Sequence, residues 1–276
     1  MVQKGLTMRD KVGGLIALIG ASLGAVSFIL FLDKYQPLIE GNKAVKNLAG
    51  AKMLTGLYPA INDIAMASGV AFLVACFGFL TVKKWAWPMA IIAATCGLLA
   101  SWLGIVWPLM IQQPVTYLAI FVPEFLIWLT LVLYVRPIDI KIVVVSIIGG
   151  IAFILNFMNG TAALNKMIGI KSPLFFGTQQ LNWFAAVAFG IFTIAILYRK
   201  DWAIPIGLGG SVMGLIAGIP LAYLNTMQTK EFSLFWIAVI VSGFMLIGLL
   251  IHGQKLVNPV QEVETGQYLG TRSRAS

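Results

Sequence analysis

Nearly all the charged residues of this chain lie in its tails and in the gaps between continuous apolar runs, and each run is roughly 17 to 25 residues long. That is the length a helix needs to cross about 30 Å of hydrocarbon. The runs are Val12–Leu32, Ile61–Val82, Trp85–Met110, Val115–Val135, Ile142–Met158, Leu181–Tyr198, Ala203–Leu224 and Phe232–His252. Their continuity excludes a closed barrel, whose strands alternate over about ten residues, and an open sheet would leave backbone groups unpaired in lipid. The reading is therefore all-α: a polytopic transmembrane bundle of eight spans.

Composition closes off the soluble alternative. Charged residues make up 11% of the 276 and hydrophobic ones 59%, with a mean hydropathy of +0.92. A soluble domain carries about a quarter of its residues charged to cover its surface. The net charge of +9 is spread over loops and tails without interleaved aromatics, so it speaks for topology and against a nucleic-acid partner. With both termini in the cytoplasm, that side receives Lys4, Arg9, Lys11, Lys83, Lys84, Arg136, Lys141, Arg199, Lys200, Lys255, Arg272 and Arg274, twelve of the nineteen Lys and Arg residues. The expected location is the plasma membrane, with the first run kept as a span and the polar tail Gln254–Ser276 disordered.

The chain also matches itself. A shift of 117 lays Trp85-Ala86 on Trp202-Ala203, Pro88 on Pro205, and Gly97-Leu98-Leu99-Ala100 on Gly214-Leu215-Ile216-Ala217. Phe28-Ile29-Leu30 meets Phe153-Ile154-Leu155 at a shift of 125, so the first copy carries about eight extra residues in its outer loop. Two parallel four-helix repeats follow, 1–137 and 138–253, with 254–276 as the tail. Each copy opens with one span, then a longer outer connection (Lys34–Ala60; Asn159–Gln180) expected to hold a short surface helix, then three tightly joined spans.

A second span of small residues through Gly69 and Gly78 to Thr81, a basic pair, and an aromatic-Ala start to the third span complete this layout. It resembles the DoxX-like four-helix membrane proteins, here in tandem. The resemblance implies a four-helix membrane fold. It carries over no activity, because the chain lacks the acidic residue such proteins place just ahead of the paired glycines, and their Gly-x-x-Lys after the first span.

Glu124 follows Pro123 near the middle of the fourth span, where an unpaired carboxylate costs several kcal/mol. Two readings stand side by side: a proton- or cation-handling group facing the bundle interior, or a neutral Glu held by one structural hydrogen bond to Ser101, Thr95 or Asn156. Pro123 frees the carbonyl of Ala119, as a second ligand or as a plain kink. Asn62-Asp63 and the aligned Gln179-Gln180 either stabilise helix ends or, with Asn156, line an outer vestibule. One histidine, His252, and two separated cysteines, Cys76 and Cys96, supply no metal, haem or iron–sulfur set, so no cofactor is expected.

These features point first to a non-catalytic membrane subunit or a lipid- or quinone-contacting bundle, with membrane lipid and protein subunits of a membrane complex as partners. The alternative is a small-solute or proton-coupled permease with Glu124 in its pathway. The third is the membrane component of a redox enzyme complex.

Overall fold

The structure, a computed structural model, describes residues 5–170 and 174–258. Every regular element in it is helical: α1 Met8–Ala44, α2 Leu48–Leu80, α3 Ala86–Met110, α4 Leu118–Thr130, α5 Ile140–Ile170, α6 Leu174–Leu197, α7 Ala203–Thr229 and α8 Phe235–Val257. A π-helical turn, Leu131–Val135, continues α4. With that turn counted into the fourth, all eight are long and apolar enough to cross a membrane. Large apolar side chains such as Ile29, Val70, Phe184, Ile240 and Leu250 stand exposed on their flanks, which is tolerable only where the surroundings are themselves apolar. The chain is a multi-pass integral membrane protein.

It forms two compact units, Met1–Ile138 with Ile168–Lys171, and Asp139–Met167 with Ser172–Ser276. In the first, α1 packs on α2, α2 on α3 and α3 on α4, and α4 closes back on α1. The α1–α2 seam is tight because a side chain on Gly24 would strike Gly69 Cα at 2.7 Å, and the rings of Phe72 and Phe79 sit over Gly20 and Gly13. In the second unit α6 packs on α7 and α7 on α8. Ser146 Oγ of α5 donates to Thr193 O of α6 (2.8 Å), and Asn159 Nδ2 of α5 reaches Phe235 O of α8 (3.3 Å).

Helix ends follow local chemistry. Thr7 and Asp10 form a reciprocal capping box at the start of α1. The α2–α3 and α6–α7 turns are built alike. Val82 N–H donates to Phe79 O, Lys83 N–H to Gly78 O and Ala86 N–H to Lys83 O. Arg199 to Ile196, Lys200 to Ala195 and Ala203 to Lys200 repeat the pattern 117 positions on. Both turns end their helix on a left-handed residue, as C-terminal caps commonly do.

The outer connections differ from expectation. Lys34–Ala60 is not a long loop with a surface helix: α1 runs on to Ala44, α2 begins at Leu48, and Asn47 caps α2 by accepting from Gly50 N–H at 3.0 Å. The charges at Asp33 and Lys34 end the stretch suited to hydrocarbon, but they do not end the helix. A seam of buried Leu38, Ile39, Ala51, Leu54 and Tyr58 at helical spacing holds the extended hairpin together. Pro37 and Pro59 lie inside these helices. Likewise α5 continues to Ile170 and α6 starts at Leu174, with Ala163, Phe175 and Leu221 packed as a cluster. At the other end α8 runs to Val257, so Gln254–Val257 is helical. The rest of the expected tail, from residue 259 on, lies outside the described residues.

Candidate functional site

Apolar residues at helical spacing turn one face of α4 inward. Ile120, Glu124, Ile127 and Trp128 are all buried, so Glu124 stands where a core residue would. It is 2% exposed. The helix runs through Pro123 without interruption, and Pro123 lacks the N–H that would bond the Ala119 carbonyl.

The carboxyl is closed on both sides by α3. Ser101 Oγ donates to Glu124 Oε2 at 2.8 Å and also lies 3.2 Å from Leu98 O. On the other side the carboxyl sits directly over Gly97, where any Cβ would collide with Glu124 Oε1 and come within 2.9 Å of Ser68 Oγ. Ser68 belongs to α2 and donates to Ala93 O at 2.7 Å. Gly97 is thus the floor that lets a carboxyl and a hydroxyl from two other helices meet α3. Ser101 is one of the three partners expected for Glu124 from the sequence, whereas Ser68 and the seat at Gly97 were not among them. Thr95 Oγ1 is buried without a hydrogen-bond partner, and it does not bond the acid.

The second unit has a comparable arrangement of different composition. A Cβ on Gly214 would meet Ser242 Oγ at 2.5 Å and Asn156 Oδ1 at 2.7 Å. Asn156, fully buried, donates through Nδ2 to Ala152 O (2.9 Å) and to Ser242 Oγ (3.2 Å). Its partners therefore lie within its own unit.

The remaining candidates separate by helix face. Asn62 is buried and its neighbour Asp63 is exposed, because adjacent helical residues point about 100° apart. Gln179 is buried and Gln180 is partly so. Asn62-Asp63 lie in the middle of α2 and Gln179-Gln180 in the second turn of α6, so neither pair occupies a first turn. Asp63 is seventeen residues from the end of α2 at Leu80, about 26 Å at 1.5 Å per residue, which puts it near the outer limit of a hydrocarbon layer.

One more interaction was not legible beforehand. Trp87 Nε1 donates to Leu131 O at 2.9 Å, and the Arg136 guanidinium lies 5.3 Å from the centre of the same ring. Leu131 O also accepts from Arg136 N–H at 3.2 Å, the i to i+5 bond of the π turn. Among the described residues no three His, Cys, Asp or Glu side chains come together as a metal-binding group.

No protein-family model, curated protein or solved structure matches the chain. Fold and site together define a class, the all-helical multi-pass membrane protein, and any activity must be argued from the geometry.

Proposed function

We propose that the chain is a non-catalytic membrane bundle, an anchor or accessory subunit in contact with lipid, set in the plasma membrane with both termini in the cytoplasm. The closure of Glu124 carries this reading. Its carboxyl is held by the Ser101 hydroxyl and seated on Gly97, so it acts as a clasp between α4 and α3. A hydrogen bond between helices is the ordinary role of a polar group inside a membrane bundle. The internal match at a shift of 117, which lays Gly97 on Gly214, supports a tandem four-helix unit with a glycine seat for a polar cluster in each copy. Over Gly214 sit Ser242, one position past the residue aligned with Glu124, and Asn156 from the copy's first helix, so the polar partners differ between the copies.

A proton-coupled permease is the second reading, and one observation favours it. Asn62 Oδ1 and Thr95 Oγ1 are buried in the same unit as Glu124 without a hydrogen-bond partner, which buried polar atoms seldom are. Such atoms could serve a passing solute. Reconstitution into liposomes with a pH-sensitive dye inside separates the two. The clasp reading expects no proton flux above empty liposomes. Flux that Glu124→Gln abolishes and Glu124→Asp partly keeps would establish the permease.

A further inference from the structure

The second unit contains a cleft of about 520 Å³ between the start of α5 and the end of α8, open at the end where the α6–α7 turn lies. Its mouth is polar and mostly basic. Lys141 of α5, Arg199 of the turn, and His252 and Lys255 of α8 line it, with Asp139 as the one acidic group. Both carboxylate oxygens of Asp139 are engaged: Oδ1 accepts from Lys141 N–H at 2.9 Å, and Oδ2 receives Arg199 Nη2 at 3.5 Å. Arg199 is thus paired with Asp139, and Lys141 and Lys255 bring two further cations to the mouth. Deeper in, the walls turn apolar, with Val145 and Ile148 on one side and Phe244, Gly248 and Leu249 on the other. From Lys255 back to Phe244 the wall runs eleven residues along α8, about 16 Å at 1.5 Å per residue.

We propose that this cleft is a binding site for one acidic glycerophospholipid, its phosphate at Lys141, Arg199 and Lys255 and an acyl chain along the apolar walls between α5 and α8. Two features of the cleft select that occupant. A cationic mouth takes a phosphodiester, and basic pockets between membrane helices at the positively charged side suit anionic head groups. A soluble anion would leave the apolar depth of the cleft unused, whereas an acyl chain fills it. A zwitterionic lipid brings its own cation to a mouth that is already positive. The inference requires only that the helices lie in a membrane and does not depend on the role given to Glu124.

Gly248 provides a clean test, because a Cβ there meets nothing within 4 Å and a larger side chain would grow into the cleft without disturbing the helix. The full chain, purified in a mild detergent, is analysed by native mass spectrometry with phosphatidylglycerol, phosphatidylcholine or glycerol 3-phosphate added. Wild type is expected to retain one phosphatidylglycerol in preference to phosphatidylcholine and to retain no glycerol 3-phosphate. Lys141→Gln with Arg199→Gln should lower phosphatidylglycerol retention roughly tenfold or more, as should Gly248→Phe. Lys83→Gln with Lys84→Gln, at the matching turn of the first unit, should leave it unchanged. Equal retention of the two lipids, wild-type retention by Gly248→Phe, or glycerol 3-phosphate held as well as the lipid would each overturn the proposal.

Discussion

Val82 and Arg199 stand 117 positions apart and occupy the same step of the same turn, at φ 56° and φ 50°. Left-handed backbone is unfavourable for any residue with a Cβ and worst for a β-branched one. Val82 carries that strain because the turn must bring Lys83 N–H back to Gly78 O. Val82→Gly should therefore raise stability by about 1 kcal/mol, with a smaller gain for Arg199→Gly. Thermal unfolding in detergent reads this directly, and a fall in unfolding temperature for Val82→Gly would show the turn to be unstrained.

Gly97→Ala should be costly out of proportion to one methyl group. The new carbon would push the Glu124 carboxyl and the Ser68 hydroxyl apart, and overpacking of this kind costs about 1 to 3 kcal/mol. Because the clash is with the carboxyl, Glu124→Ala in the same chain should recover part of the loss. A double-mutant cycle on unfolding temperature measures that coupling, and strict additivity would deny the contact.

The crossing segments were legible because lipid imposes a simple rule, a long apolar stretch between charges. Their true lengths were obscured by the same rule. Asp33 and Lys34 stop a stretch that can lie in hydrocarbon, yet the helix goes on past them on the strength of Leu38, Ile39, Leu54 and Tyr58. That seam is present in the sequence at helical spacing, but the charges among it give the segment the look of a polar connection. Glu124 was legible as an anomaly of position. Its seat was not, because Gly97 and Ser68 are small residues of a kind that recur throughout this chain, and only the packing of three helices brings them together.

Trp87→Phe keeps an aromatic side chain, though a smaller one, and removes the donor. The Leu131 carbonyl would lose its bond from the indole, and the loss expected is about 1 kcal/mol. Hydrogen exchange at Arg136 should quicken with it. Unchanged exchange would mean that the π turn holds without the indole.

The orientation proposed from Lys and Arg placement is open to labelling. In a chain with Cys76 and Cys96 replaced by alanine, a cysteine at Lys46 should react with an impermeant maleimide added outside intact cells. One at Lys83 should react only after the membrane is opened. The reverse pattern would invert the topology and place the basic mouth between α5 and α8 on the outer face.

The clasp between Glu124 and Ser101 is tested most directly by the thermal unfolding of two variants of the same residue in detergent. Glu124→Gln retains an acceptor of the same shape and should unfold close to wild type. Glu124→Leu leaves the buried Ser101 hydroxyl without its carboxyl partner and should lose about 1 to 3 kcal/mol, seen as a clear drop in unfolding temperature. If Glu124→Leu unfolds with wild type, the carboxyl holds nothing together and the account fails.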